Sequence, residues 1–211
     1  MEDRSHKMSE LIRLLEQQAT QEGLNPTSVN NLFLGRASQP DPFQPQVYPP
    51  AIIIGAQGRK FVYLEGKRYE YGDGNLIALF VPMAVDCEGV EASPEKPMLT
   101  ALITIDLNRI TKMILNMDRF EKTPIKPDAG DASAIFFAPI KDNLLDATIR
   151  LLRTVDNPSE AAILGASIID EVYFRILSEE QGGRLKYLLQ QRGQIHQVSK
   201  AVEYVHQHLD Q

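Results

Sequence analysis

One continuous stretch, residues 51–107, decides the fold: AIIIGAQGRKFVYLEGKRYEYGDGNLIALFVPMAVDCEGVEASPEKPMLTALITIDL. Short runs rich in Ile, Val, Tyr and Phe alternate with turn residues, such as Glu-Gly-Lys at 65–67 and Gly-Asp-Gly at 72–74. Because no helical pattern interrupts these runs, they predict a β sandwich or a small barrel. The predicted strands are 51–54, 60–64, 68–71, 76–82, 85–91 and 99–105.

Helical patterns flank the predicted strands on both sides. Before them, apolar spacing predicts a helix over 8–22, and five prolines in 36–50 predict an extended connector. After them, the patterns predict helices over 108–123 and 142–177, with Asn157 of Asn-Pro-Ser-Glu as a strong helix N-cap. Strands followed by helices indicate an α+β fold class with two lobes.

The composition is that of an ordinary globular protein. The 211 residues are 43% hydrophobic and 24% charged, and the formal net charge is −6. This acidic balance disfavours non-specific binding to DNA or anionic membranes, since clustered Lys and Arg drive such binding. With one cysteine, no signal peptide and no long apolar run, we expect a cytoplasmic protein that does not bind membranes.

Histidine is absent from the centre of the chain. The four histidines are His6, His196, His206 and His208. Ser-His-Asp and Cys-His catalysis, and metal sites with two histidines, therefore cannot be built from the intervening region alone. We predict no catalytic residues, no metal and no cofactor.

Cys87 lies on the predicted apolar face of a strand. A free cysteine in that position usually packs as a small hydrophobic group. The alternative is a thiol that faces an internal pocket and contacts or reacts with a ligand there. The aromatic residues of the β region have the same two possible roles: they pack in the core, or some of them line a cavity. A cavity is possible because small barrels can hold one small ligand.

Short motifs mark both halves of the chain. In the β region they are PAIII (50–54), QGRK (57–60), YEYGDGNL (69–76), VPMAV (81–85) and EASPEKP (91–97). In the helical region they are LLDA (144–147), EVYFRIL (171–177), QGGRL (181–185) and IHQVSKAVEYV (195–205). In this order and spacing they resemble the N-terminal domain of one group of AraC-type transcriptional regulators, over roughly residues 25–211.

The resemblance implies a cupin-like antiparallel β barrel followed by a helical lobe. Residues 1–24 would form an N-terminal helix, 25–140 the effector-binding barrel, and 141–193 the helical linker and dimerisation lobe. Residues 194–211 would begin a DNA-binding domain that is otherwise absent, so DNA would be bound only through helix-turn-helix units missing from this chain. The implied partners are a small organic effector and a second copy of the chain.

The resemblance also directs the choice of site residues. The residues expected to bind the effector are Phe33, Tyr48, Ile54, Phe61, Tyr69, Tyr71, Val81 and Cys87. The residues expected to form the dimer, on the helix at 158–177, are Leu164, Ile168, Val172 and Ile176. Which strand residues face the pocket depends on register, because a shift of one residue exchanges the two faces of a strand.

Two other functions stay open. One is a metal-free barrel isomerase or hydrolase, for which Asp86, Glu88 or Glu70 would have to act as acid or base. The alternation of Asp86 and Glu88 with apolar residues instead predicts a solvated outer face. The other is a stand-alone small-molecule-binding protein that ends at Gln211.

Overall fold

A computed structural model describes residues 2–64, 66–118, 120 and 135–179 of the chain. Four helices and ten strands lie within these residues. The helices are α1 (Glu2–Gln18), α2 (Leu107–Asp118), α3 (Asp142–Thr154) and α4 (Pro158–Leu177). The strands are β1 (Gly23–Pro26), β2 (Leu32–Ala37), β3 (Gln44–Tyr48), β4 (Ala51–Gln57), β5 (Arg59–Leu64), β6 (Lys67–Gly72), β7 (Asn75–Leu79), β8 (Met83–Glu91), β9 (Met98–Thr104) and β10 (Ile135–Pro139).

The strands form two antiparallel sheets. One has six strands in the order β1-β2-β9-β4-β7-β10, and the other has four in the order β3-β8-β5-β6. Apolar side chains from both sheets meet in one buried cluster, so the sheets face each other. This arrangement confirms the predicted α+β class with an antiparallel, cupin-like β part.

The six-stranded sheet is covered on both of its faces. In β4, Ala51 and Ile53 face the four-stranded sheet, whereas Ile52 and Ile54 face the helices. All seven residues of β4 are buried. Burial on two faces explains why this strand and β9 are almost continuously apolar instead of alternating.

The helices form a third layer on the outer face of the six-stranded sheet. Leu11 and Leu15 of α1 are fully buried in the cluster that the sheet shares with α3 and α4. Charged pairs such as Arg153–Glu10, at 2.6 Å, surround this contact. None of the helices in the described ranges is long and apolar enough to span a membrane.

Helix α4 begins where the sequence predicts. The side chain of Asn157 accepts hydrogen bonds from the backbone N–H groups of Ser159 and Glu160, and Pro158 opens the helix. An N-cap of this kind satisfies backbone donors that have no partner within the helix.

Three strands, β1, β2 and β10, are missed by the sequence patterns. The pattern breaks at Gly23 and Pro26 indicate a stop signal, yet these residues bound β1, which pairs with β2. The apolar patch at 135–137 is not among the predicted strands, but it forms β10 beside β7. The first helix is confirmed with different bounds: α1 spans Glu2–Gln18, whereas the predicted helix spans 8–22.

Some predictions concern residues outside the described ranges. They include the last part of the helical linker and dimerisation lobe, 180–193, and the start of a DNA-binding domain at 194–211. These stay predictions.

Two glycines allow the chain to turn from one sheet to the other. Gly58 joins β4 to β5, and Gly72 ends β6 before β7; both have positive φ, 79° and 126°. A Cβ on Gly72 would overlap the carbonyl oxygen of Gly58. The two backbones therefore approach each other at a distance that only glycine permits.

We expect Gly72→Ala to lower the free energy of unfolding by about 3 kcal/mol or more, because a strained backbone is combined with a backbone clash. Gly66→Ala is the matched control. Gly66 also has a positive φ, 75°, but no described atom lies within 4 Å of an added Cβ. Its expected cost is about 1–2 kcal/mol. Urea denaturation measures both values, and equal losses would contradict a role for the close approach.

Candidate functional site

A cavity of about 720 Å³ lies between the two sheets, at the side where β1 and β2 face β3. Alternate residues of β9 line it, because side chains two apart on a strand share a face. Exposed Val47 of β3 lies at its edge. The apolar part of the wall is formed by Phe33, Ile53, Tyr71, Met98 and Leu102.

Gly35 of β2 makes room for a polar wall residue. A Cβ at this position would overlap the hydroxyl oxygen of Thr100, which lies opposite on β9. The absence of a side chain at Gly35 thus lets Thr100 face the cavity.

A hydrogen-bonded polar cluster lies on the opposite wall. The Nζ of Lys60 donates to Gln46 Oε1 at 2.9 Å and to Asp41 Oδ2 at 3.4 Å. The hydroxyl of Tyr48 donates to the same Gln46 oxygen at 2.7 Å. Lys60, Gln46, Tyr48 and Asp41 are called the polar cluster below. It is well suited to orienting one polar group of a ligand, since binding sites combine apolar walls with a few placed polar groups.

Two tyrosines and the cysteine form the base of this cluster. The Tyr48 hydroxyl lies 3.7 Å from Cys87 Sγ, a hydrogen-bonding distance for sulfur. Burial raises the pKa of Tyr48, of Tyr71 and of the Cys87 thiol. The three groups are therefore neutral near pH 7 and act as hydrogen-bonding groups, not as ions.

Three of the predicted ligand residues line the cavity. They are Phe33, Tyr48 and Tyr71. Cys87 is fully buried behind them, in the core between the sheets, and its Sγ contacts the Tyr48 hydroxyl of the cavity wall. Burial and the raised pKa of the thiol oppose its reaction with an effector, because the thiolate is the reactive form.

The other four predicted ligand residues lie elsewhere. Ile54 faces the helices, and its neighbour Ile53 lines the cavity, so the prediction was displaced by one residue in the strand. Phe61 is on the outer face of its sheet, with the Arg68 guanidinium 4.4 Å from its ring centre.

Tyr69 and Val81 are also not part of the cavity wall. The ring of Tyr69 stacks on Phe137 of β10, with centroids 4.5 Å apart. Tyr69 shares a strand face with Tyr71 but lies two residues further along it. Val81 follows the end of β7 and is buried.

Sequence reasoning missed the polar cluster apart from Tyr48. In β5 it favours Phe61 as the residue that faces the cavity, whereas the buried positions are Lys60 and Val62. The hairpin of β5 and β6 could have identified Lys60. In this hairpin Lys60 pairs with Tyr71 and Val62 with Tyr69, and directly paired residues share a face of the sheet.

Of the four predicted dimer residues, three are buried and one is exposed. Ile168, Val172 and Ile176 are buried in the core of the chain itself, because this side of α4 packs on the helical layer. Leu164 is 46% exposed. The other exposed large apolar residues of α4 are Ile163, at 73%, and Phe174, at 42%.

A direct contact joins the cavity wall to α4. The hydroxyl of Tyr173 donates to the carbonyl oxygen of Thr104 at 3.0 Å and accepts from the backbone N–H of Asp106 at 3.2 Å. Thr104 also lines the cavity. Within the described ranges, no group of three or more His, Cys, Asp or Glu side chains is arranged to hold a metal ion.

The comparisons with known proteins give one family match. The model of the family described as AraC-type transcriptional regulator N-terminus matches residues 28–184. No curated protein matches the chain. Among solved structures, an apo variant of ToxT from Vibrio cholerae matches with a TM-score of 0.50 and 9% sequence identity, over 78% of this chain and 59% of that chain.

A second ToxT structure has a lower score. It is wild-type ToxT from Vibrio cholerae bound to an unsaturated fatty acid, with a TM-score of 0.45 and 9% identity, over 77% of this chain and 57% of that chain. The apo structure shows a likeness of fold alone. The present chain spans less than two thirds of the length of either ToxT chain.

We expect Cys87 to react with a thiol reagent such as DTNB at pH 8 at least about tenfold more slowly than an exposed thiol, because burial both shields it and raises its pKa. The control is Val47→Cys in a Cys87→Ser background, since Val47 is 78% exposed beside the same cavity. Absorbance at the reagent's product band follows both reactions. Comparable rates in the folded proteins would contradict the assignment.

Proposed function

The chain belongs to the family of AraC-type transcriptional regulator N-terminal domains, and we propose that it senses a small organic effector in the cavity between its sheets. The observation that carries this proposal is the cavity itself. Its volume of about 720 Å³ lies within the range of small-molecule sites, and it combines an apolar wall with one compact polar cluster.

The position of β9 supports coupling between effector and helices. Met98 and Leu102 face the cavity, whereas Leu99 and Ile103 pack in the core shared with the helices. An effector that prefers one position of β9 would bias the position of α4, because the Tyr173 hydroxyl holds the end of the strand.

The signal would pass to helix-turn-helix units of a longer regulator. The net charge of −6 agrees with a sensing part that does not itself bind DNA. Binding to DNA requires a positively charged surface, which the helix-turn-helix units would supply. Such a regulator works on DNA in the cytoplasm. Activation and repression are both compatible with this scheme.

Dimerisation through α4 is the second part of the proposal. Ile163, Ser167, Asp170 and Phe174 recur at helical spacing on one side of α4, and Ile163 and Phe174 are exposed. In a twofold antiparallel pair, Ile163 of each copy would face Phe174 of the other. Asp170 would not oppose this contact, because its carboxylate is paired with Arg109 at 2.6 Å.

Enzymatic activity is the weaker alternative. The carboxylates it would require lie outside the cavity wall: Glu88 accepts a hydrogen bond from the Tyr63 hydroxyl at 2.9 Å, and Glu70 lies 3.4 Å from Arg59. Asp86 is likewise absent from the wall. We therefore propose a binding role without catalysis.

We expect Ala37→Trp to weaken binding of the neutral dye N-phenylnaphthylamine by about tenfold or more, because the indole would occupy the cavity that Ala37 lines. Ala84→Trp, at an exposed position of β8, is the control and should bind as the unchanged chain does. Fluorescence titration gives the affinities. Equal affinity in all three proteins, or no binding by the unchanged chain, would contradict a ligand cavity.

We expect the double variant Ile163→Glu with Phe174→Glu to be monomeric in sedimentation equilibrium at concentrations where the unchanged chain is dimeric, because twofold pairing would place Glu opposite Glu at both ends. Ile163→Glu with Phe174→Lys should restore the dimer, since each Glu would then face a Lys. Val47→Glu, at an exposed apolar site on β3, is the control for general effects. A monomeric unchanged chain, or no difference among the variants, would exclude this interface.

A further inference from the structure

The most deeply buried cationic group of the cavity is Lys60. Its side chain is 9% exposed, and the strand alternation of β5 directs it inward beside Val62. Burying an ammonium group is costly unless an anion lies close to it. The compensation available to Lys60 therefore indicates what kind of ligand the cavity favours.

This compensation is incomplete. The only carboxylate paired with Lys60 in the described residues is Asp41, at 3.4 Å, and the Asp41 side chain is 39% exposed. For comparison, Arg109 and Asp170 on α2 and α4 approach to 2.6 Å. A long contact with a solvated carboxylate leaves the buried ammonium short of nearby negative charge.

The second cation of the cavity wall is held in the same way. The Nε of Arg36 lies 3.9 Å from Glu22 Oε1, and the Arg36 side chain is 23% exposed against 63% for Glu22. At both pairs the cation is the buried partner and the carboxylate the solvated one. An incoming anion could take the place of either carboxylate beside its cation, because exposed ion pairs contribute little to stability. Glu22 would keep the hydrogen bond that its Oε2 accepts from the backbone N–H of Ser38, at 3.0 Å.

The rest of the wall is apolar. Phe33, Ile53 and Leu102 offer hydrocarbon surface, and Met98 adds a polarisable side chain. The geometry points to an amphipathic monocarboxylic acid as the ligand, with its carboxylate on Lys60 in place of Asp41 and its hydrocarbon body against this wall. This inference rests on the proposed function, since it names the chemical class of the effector for the same cavity.

The test compares three probes that share one hydrocarbon chain: decanoate, decanol and decylamine. Titration calorimetry at neutral pH, below the aggregation limit of each probe, gives their affinities. We expect the unchanged chain to bind decanoate at least about tenfold more tightly than decanol, which is the effect of one charge-assisted hydrogen bond. Lys60→Met should remove this preference, and Lys67→Met, at an exposed lysine of the adjacent strand, should retain it.

Asp41→Asn supplies a test that does not remove the buried lysine. This variant removes the competing carboxylate, so we expect it to bind decanoate more tightly than the unchanged chain while its affinity for decanol stays the same. Weaker or unchanged decanoate binding in Asp41→Asn would overturn the inference, even if Lys60→Met fails to fold.

The outcomes separate this inference from the proposed function. Equal binding of decanoate and decanol by the unchanged chain would overturn the carboxylate assignment and leave an apolar ligand cavity. Tighter binding of decylamine would also overturn it, because Asp41 and Glu22 would then dominate the wall. Failure of all three probes and of the neutral dye would overturn both the inference and the effector cavity.

Discussion

Burial of β9 on both faces is the constraint on which the rest of the structure depends. Leu99, Ala101 and Ile103 pack against the helical layer, and Met98 and Leu102 face the other sheet. A strand in this position has no solvated face, so a displacement on one side must be accommodated on the other. The cavity, the core between the sheets and the helical layer therefore share one structural element.

The cavity is open beside β3 because β3 is an edge strand. Pro45 removes a backbone donor, which restricts a strand of this kind to the edge of a sheet. As an edge strand, β3 pairs only with β8 and leaves its other side towards β1 and β2, across the cavity. The proline-rich connector expected from the sequence thus forms one wall of the site, where it contributes Gln46 and Tyr48.

The sequence predicts the strands of 51–107, the later helices and the Asn157 cap because each has a local signal. It does not predict β1, β2 or β10 as strands, because their pairing is long-range and their residues include turn formers. The site is predicted less well. Ile54 and Ile53 are equally apolar, and only the packing of helices on one face distinguishes them. Lys60 was missed since a buried lysine contradicts the hydrophobic pattern by which inward positions are recognised.

Thr104 links the cavity to α4, and this link indicates how a signal would pass through the fold. Thr104 lines the cavity, and its carbonyl oxygen accepts the Tyr173 hydroxyl of α4. Coupling between distant sites is usually argued along chains of residues whose individual contributions are hard to establish. Here one residue belongs to both contacts. A ligand that moves the end of β9 would therefore act on α4 directly, and the rigid packing of Leu99 and Ile103 would carry the same displacement to the helical layer.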